Sequence, residues 1–71
     1  MVKPDIMSSF DPGRLMNSRK NANLSQRALA LKAGVSQALI AEIERGKHPP
    51  SAASLAKIAA ALGLAPSDFE T

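Results

Sequence analysis

The sequence predicts an all-α fold of five short helices. Three observations carry that expectation. Apolar residues recur at helical spacing, most clearly Leu55, Ile58, Ala59 and Leu62 at i, i+3, i+4 and i+7. Residues that begin and end helices stand at matching places, with Asp11, Ser25, Ser36 and Ser51 ahead of the periodic stretches and Asn23, Gly34 and Gly63 behind them. No stretch shows the two-residue alternation or the β-branched enrichment of a strand.

The first helix is expected to start at Asp11-Pro12, where the carboxylate caps and proline occupies a first turn that needs no amide. Phe10, just before it, is placed to staple the start of the helix by packing one turn in. The helix runs to about Ala22, with Leu15 inward, and Asn23 ends it. From Leu24 to Gly46 two short helices follow, hinged at Gly34, with Ser25 and Ser36 as their caps and Ile40 and Ile43 on one face of the second. Helices joined by so short a turn cross steeply, which is the helix-turn-helix arrangement. Pro49 and Pro50 then forbid further helix until Ser51 caps the fourth. Ala65 to Phe69 reads as a short fifth helix with Pro66 in its first turn, Phe69 inward and only alanine at the cap position.

With 71 residues the chain makes one domain, near the lower limit at which an apolar core alone sustains a fold. There is no cysteine, so neither disulfides nor thiolate metal sites contribute. Of the 45% hydrophobic residues much is alanine and only two are aromatic, which suits closely packed short helices. No apolar run approaches the roughly 20 residues of a membrane span, and the first ten residues lack the apolar centre of a signal peptide. A cytoplasmic protein is expected. His48 is the single histidine, without a second metal ligand or a nucleophilic partner, so the residues point away from enzyme chemistry and from any cofactor.

Charge is more informative in its distribution than in its sum of +3. Arg14, Arg19, Lys20, Arg27, Lys32, Arg45 and Lys47 fall in one stretch against Glu42 and Glu44, while the rest of the chain is net acidic. Concentrating positive charge on the helix pair and its approach is what a surface facing a polyanion requires. Residues 1–10 read as a flexible arm and residues 11–71 as the domain. The arm carries Lys3 and could reach along a nucleic acid, but with one lysine and one aspartate disorder is the preferred reading.

Gln26 with Leu29-Ala30, Gly34-Val35-Ser36, Ile40 and Ile43-Glu44-Arg45-Gly46 resemble the helix-turn-helix domain of the Cro and phage-repressor family of DNA-binding regulators. The resemblance takes in Arg19 upstream and Pro50-Ser51, Leu55, Ile58-Ala59, Leu62-Gly63 and Phe69 downstream, so it covers about residues 12–70. It implies a compact phage-repressor-like domain whose third helix, about residues 36–45, enters the major groove of double-stranded DNA as a transcriptional regulator, with repression by operator occlusion the simplest outcome. It also implies an ion pair between Arg19 and Glu44 and a homodimer on a two-fold-related operator.

On that reading Gln37 is the first candidate to read a base, because its amide matches the donor and acceptor that adenine shows in the major groove. Ala38 and Leu39 are candidates for thymine methyls. Glu42 either accepts from cytosine or, as preferred, pairs with Arg45 three residues on. Gln26, at the first turn of the second helix, resembles the family residue that hydrogen-bonds a phosphate beside the positive end of the helix dipole. Arg45 and Lys47 are further phosphate candidates, Arg27 and Lys32 weaker ones, and Ser36 serves as cap, phosphate contact or both. A second reading keeps the fold but uses the third helix, or Leu31 with Leu39, to bind protein, as an antitoxin binds its toxin.

Overall fold

The computed structural model describes residues 9–71. Among them four α-helices, α1 (Pro12–Asn21), α2 (Gln26–Ala33), α3 (Gln37–Glu44) and α4 (Ala52–Ala61), precede one 3-10 turn at Pro66–Phe69. The expected fifth helix is therefore a single 3-10 turn. Its start has no side-chain cap, and Pro66 brings no amide; the Ala65 N–H instead donates to the Asp68 carboxylate at 2.8 Å.

Each α-helix starts at the cap the sequence offers. The Asp11 carboxylate accepts from the Gly13 N–H at 2.9 Å, and Ser25, Ser36 and Ser51 each accept through Oγ from the amide three residues on, at 3.0–3.1 Å. These bonds satisfy amides that have no partner inside the helix. Asn23 takes the left-handed conformation, φ 59°, that turns the chain out of α1. Gly34 does the same after α2 at φ 74°, where a side chain would meet no atom but would strain the backbone. Three residues, Gly34, Val35 and Ser36, suffice to start α3 across α2.

The core gathers Leu15 of α1, Leu29, Ala30 and Ala33 of α2, Ile40 and Ile43 of α3, and Leu55, Ile58 and Ala59 of α4. Phe69 closes it from below and is fully buried. Phe10 joins the same end of the core, its ring centroid 6.4 Å from that of Phe69 and its backbone bridged antiparallel to Glu70, so its partner is the far end of the chain and not only the start of α1. The Ser9 carbonyl accepts from the Thr71 N–H at 2.9 Å and the Asp11 N–H donates to the Phe69 carbonyl at 2.8 Å. Of the arm expected over residues 1–10, residues 1–8 lie outside the described residues.

Arg19 and Glu44 tie α1 to the last residue of α3. Arg19 Nε donates to Glu44 Oε2 at 2.6 Å and Nη2 to Oε1 at 3.0 Å, while Nη1 donates to the Leu24 carbonyl at 2.8 Å. The side chains are 11% and 1% exposed, so this is a buried pair and not a surface one. Burial by itself pushes the Glu44 carboxyl up, but the hydrogen bonds from Arg19 and Gln26 and the charges of Arg19 and Lys20 outweigh it and hold the group below its ordinary 4.5. The bond to Glu44 likewise raises the proton affinity of Arg19 against the opposing effect of burial.

The packing sets three expectations for stability. Glu44→Ala leaves a guanidinium buried without its counter-charge, and urea unfolding should show a loss of about 3 kcal/mol, while an Arg19→Met, Glu44→Leu double variant recovers part of it. Because the folded-state pKa of Glu44 lies below the unfolded one, the pair's contribution is complete above the unfolded value of 4.5 and disappears as pH falls through the folded value. Unfolding free energy measured from neutral pH downward should thus hold until about that point and then fall, more steeply in the natural chain than in Glu44→Gln. Phe69→Ala, which empties the base of the core, should cost about 3–5 kcal/mol by the same assay, a value near zero marking the terminal turn as dispensable.

Candidate nucleic-acid interface

α3 is amphipathic in a way that leaves one face outward. Gln37, Ala38, Ala41, Glu42 and Arg45 follow one another at the one-, three- and four-residue steps that share a helical face, and Gln37, Ala38 and Arg45 are exposed with Ala41 and Glu42 half-buried. The opposite side, Ile40, Ile43 and Glu44, is buried. Leu39 departs from the sequence expectation of an outward apolar residue. It is half-buried and packs against the core, because it precedes Ile43 by one helical turn and so lies on the inner flank. Ser36 Oγ caps α3, accepting from the Leu39 N–H at 3.0 Å, and its own O–H remains a donor.

The amino end of α2 meets the carboxyl end of α3 at a single polar contact. Gln26 Nε2 donates to Glu44 Oε1 at 3.1 Å, the third hydrogen bond that this carboxylate receives. An amide nitrogen has two hydrogens, so one remains to point away from Glu44. Glu44 thereby orients a donor at the α2 terminus, where the helix dipole favours an anion. Nothing in the local sequence announces this bond, since 18 residues separate its partners.

Glu42 pairs differently from the expected contact with Arg45. Arg45 is the C-cap of α3, and after it Gly46, at φ 75°, turns the chain back so that the Lys47 N–H donates to the Glu42 carbonyl at 3.1 Å. Lys47 Nζ then lies 4.0 Å from Glu42 Oε2, and His48 Nε2 lies 3.2 Å from Oε1. The helical spacing that would join Glu42 to Arg45 ends where the helix does. Arg27, Lys32 and Arg45 are exposed and form no ion pair among the described residues. These three cations therefore keep their full charge toward solvent. Among the described residues Leu31, 75% exposed on α2, is the most open large apolar side chain.

The arrangement can accept a polyanion in a defined way, with a helix face carrying an amide and small apolar groups between two ends that carry cations and oriented N–H donors. Residues 15–69 match the sequence model of the helix-turn-helix family. The immunity repressor protein of Bacillus phage phi105 is 41% identical over 51 residues, which are 72% of this chain and 35% of that protein. A transcriptional regulator of the same family from Vibrio cholerae has a similar structure, with a TM-score of 0.79 at 41% identity, over 89% of this chain and 35% of its own. The P22 c2 repressor protein, solved in complex with a synthetic operator, is similar at a TM-score of 0.79 and 26% identity over 96% of this chain and 97% of its own. This chain thus spans 35% of the length of the first two relatives and nearly all of the third. The match runs from Leu15 in α1 to Phe69 at the base of the core and includes the capped turn between α2 and α3, so the chain belongs to the helix-turn-helix family of Cro and phage-repressor type.

Proposed function

We propose that this protein is a sequence-specific regulator of transcription that binds double-stranded DNA, acting as a repressor and reading the major groove with α3. The observation that carries this reading is the outward face of α3, where Gln37 and Ala38 stand exposed at the amino end of a helix whose other side is locked into the core. Helix-turn-helix proteins read bases with that end of the second helix while the first crosses the phosphates. The operator complex of the P22 c2 repressor and the repressor role of the phage phi105 relative support it by similarity.

In this reading Gln37 gives a bidentate contact to adenine and Ala38 meets a thymine methyl, while Glu42, paired with Lys47 and His48, borders the groove without reading a base. Gln26, Arg27, Ser36, Arg45 and Lys47 meet phosphates and set the register. Leu39 contributes through the edge of its side chain only. Two copies on a two-fold-related operator place their half-sites about 34 Å apart, one helical turn of DNA. A protein-binding role is less well supported. Of the two leucines it would use, Leu39 is packed against the core and only Leu31 is open to solvent.

Binding of the purified chain to a fluorescent duplex library at two salt concentrations tests the proposal. The natural chain should select a two-fold-related sequence, and Gln37→Ala should lose about 1–3 kcal/mol of discrimination at one base-pair position in each half-site. Lys47→Ala and Arg45→Ala should weaken binding to all sequences alike and lower the salt slope by about one each. Absence of binding at low salt would overturn the DNA reading.

A further inference from the structure

The loop after α3 closes over the one carboxylate on its outward face. His48 lies between two oxygens, with Nε2 3.2 Å from Glu42 Oε1 and Nδ1 3.2 Å from the Pro49 carbonyl. Both oxygens can only accept. A neutral imidazole carries one N–H and serves one of them, leaving a lone pair on its other nitrogen pointed at an oxygen. Only the imidazolium donates to both. The charged groups facing the ring are Glu42 from α3 and, across that carboxylate, Lys47 from the loop; among the described residues no side chain of α1, α2 or α4 hydrogen-bonds or pairs with it.

We infer that His48 is a proton-operated latch on Glu42: affinity for duplex DNA is higher with the ring protonated than with it neutral. The inference rests on the reading of α3 as the DNA-facing helix. With the ring protonated, Glu42 is held by two cations and the cluster of Glu42, Lys47 and His48 carries net positive charge. The surface beside the bound phosphates is then attractive. With the ring neutral, its one N–H serves either the Glu42 carboxylate or the Pro49 carbonyl but not both, and the cluster loses its net charge. The charge of Glu42 is then matched by Lys47 alone, at 4.0 Å, and the surface beside the phosphates no longer attracts them.

His48 is the chain's single histidine, and pH about 6 against about 8 compares more with less protonated imidazole. The test measures duplex binding by fluorescence anisotropy at those two pH values and constant salt for the natural chain, His48→Gln and Glu42→Gln. The natural chain should bind roughly threefold to fivefold tighter at the lower pH, as befits an exposed pair. His48→Gln should show no such difference, and Glu42→Gln should bind at the higher pH at least as tightly as the natural chain does at the lower.

A second readout needs no DNA. In the free protein the NMR resonance of the Glu42 carboxyl carbon should follow the His48 ring signals through the same pH range and stay flat there in His48→Gln. Binding that is equally tight at both pH values, or a Glu42 signal that ignores the ring, overturns the latch. Binding absent at both pH values overturns the DNA reading and the affinity claim with it, while the carboxyl signal reports on the latch separately.

Discussion

The carboxylate of Glu44 is the point on which this small fold depends. It stands at the carboxyl end of α3, where the helix dipole disfavours a negative charge, and it is buried, where any unpaired charge is costly. Both penalties are answered at once by Arg19, which gives it two hydrogen bonds and a full counter-charge, and by Gln26, which gives a third. The result joins α1, α2 and α3 through directional bonds. Apolar burial alone would hold the helices together but would allow Ile40 and Ile43 to settle at several crossing angles, because burial has no direction. Three bonds with fixed donors and acceptors select one. Whatever α3 presents to a partner, it presents at an angle set by an ion pair on its other side.

No helix here would stand alone. α2 and α3 have eight residues each and α1 and α4 ten, lengths at which an isolated helix in water is marginal. Their persistence comes from a side-chain cap at each amino end and from mutual burial around Leu29, Ile40 and Ile58. The ends of the chain take part as well. Phe10 and Phe69 close the bottom of the core together, and the backbone bonds between Ser9 and Thr71 and between Asp11 and Phe69 hold α1 to the terminal turn.

What was legible in the sequence is what depends on neighbours within one helical turn. The caps at Asp11, Ser25, Ser36 and Ser51, the left-handed exits at Asn23 and Gly34 and the stripe of α4 each rest on contacts within about one helical turn, and each stands where those spacings place it. The Arg19–Glu44 pair spans 25 residues and was expected only through the family resemblance, not through any local pattern. Where distant or non-helical geometry decides, the reading departs. Phe10 answers to Phe69 at the other end of the chain, and the last element lacks the cap and length of an α-helix. Leu39 carried a usable signal, its one-turn spacing from Ile43, which would have placed it on the inner flank. For Glu42 the three-residue spacing to Arg45 pointed to the wrong partner, because its partners come from a loop that Gly46 folds back.

Two glutamates two residues apart on α3 thus meet opposite fates from one helical rotation. Glu42 and Glu44 point to nearly opposite sides, about 200° apart at 100° per residue. Glu44 turns inward to an arginine, a group that stays charged across the whole range in which the protein is folded, and its bonds are shielded from salt by burial. Glu42 turns outward to a lysine and a histidine on a loop, partners that are half-exposed and so subject to salt and, for the histidine, to pH. The first contact is permanent and determines where the helix lies. The second is adjustable and determines what charge the outer face of that helix shows. Separating the two tasks onto opposite faces lets the surface charge respond to the medium without loosening the pair that sets the angle.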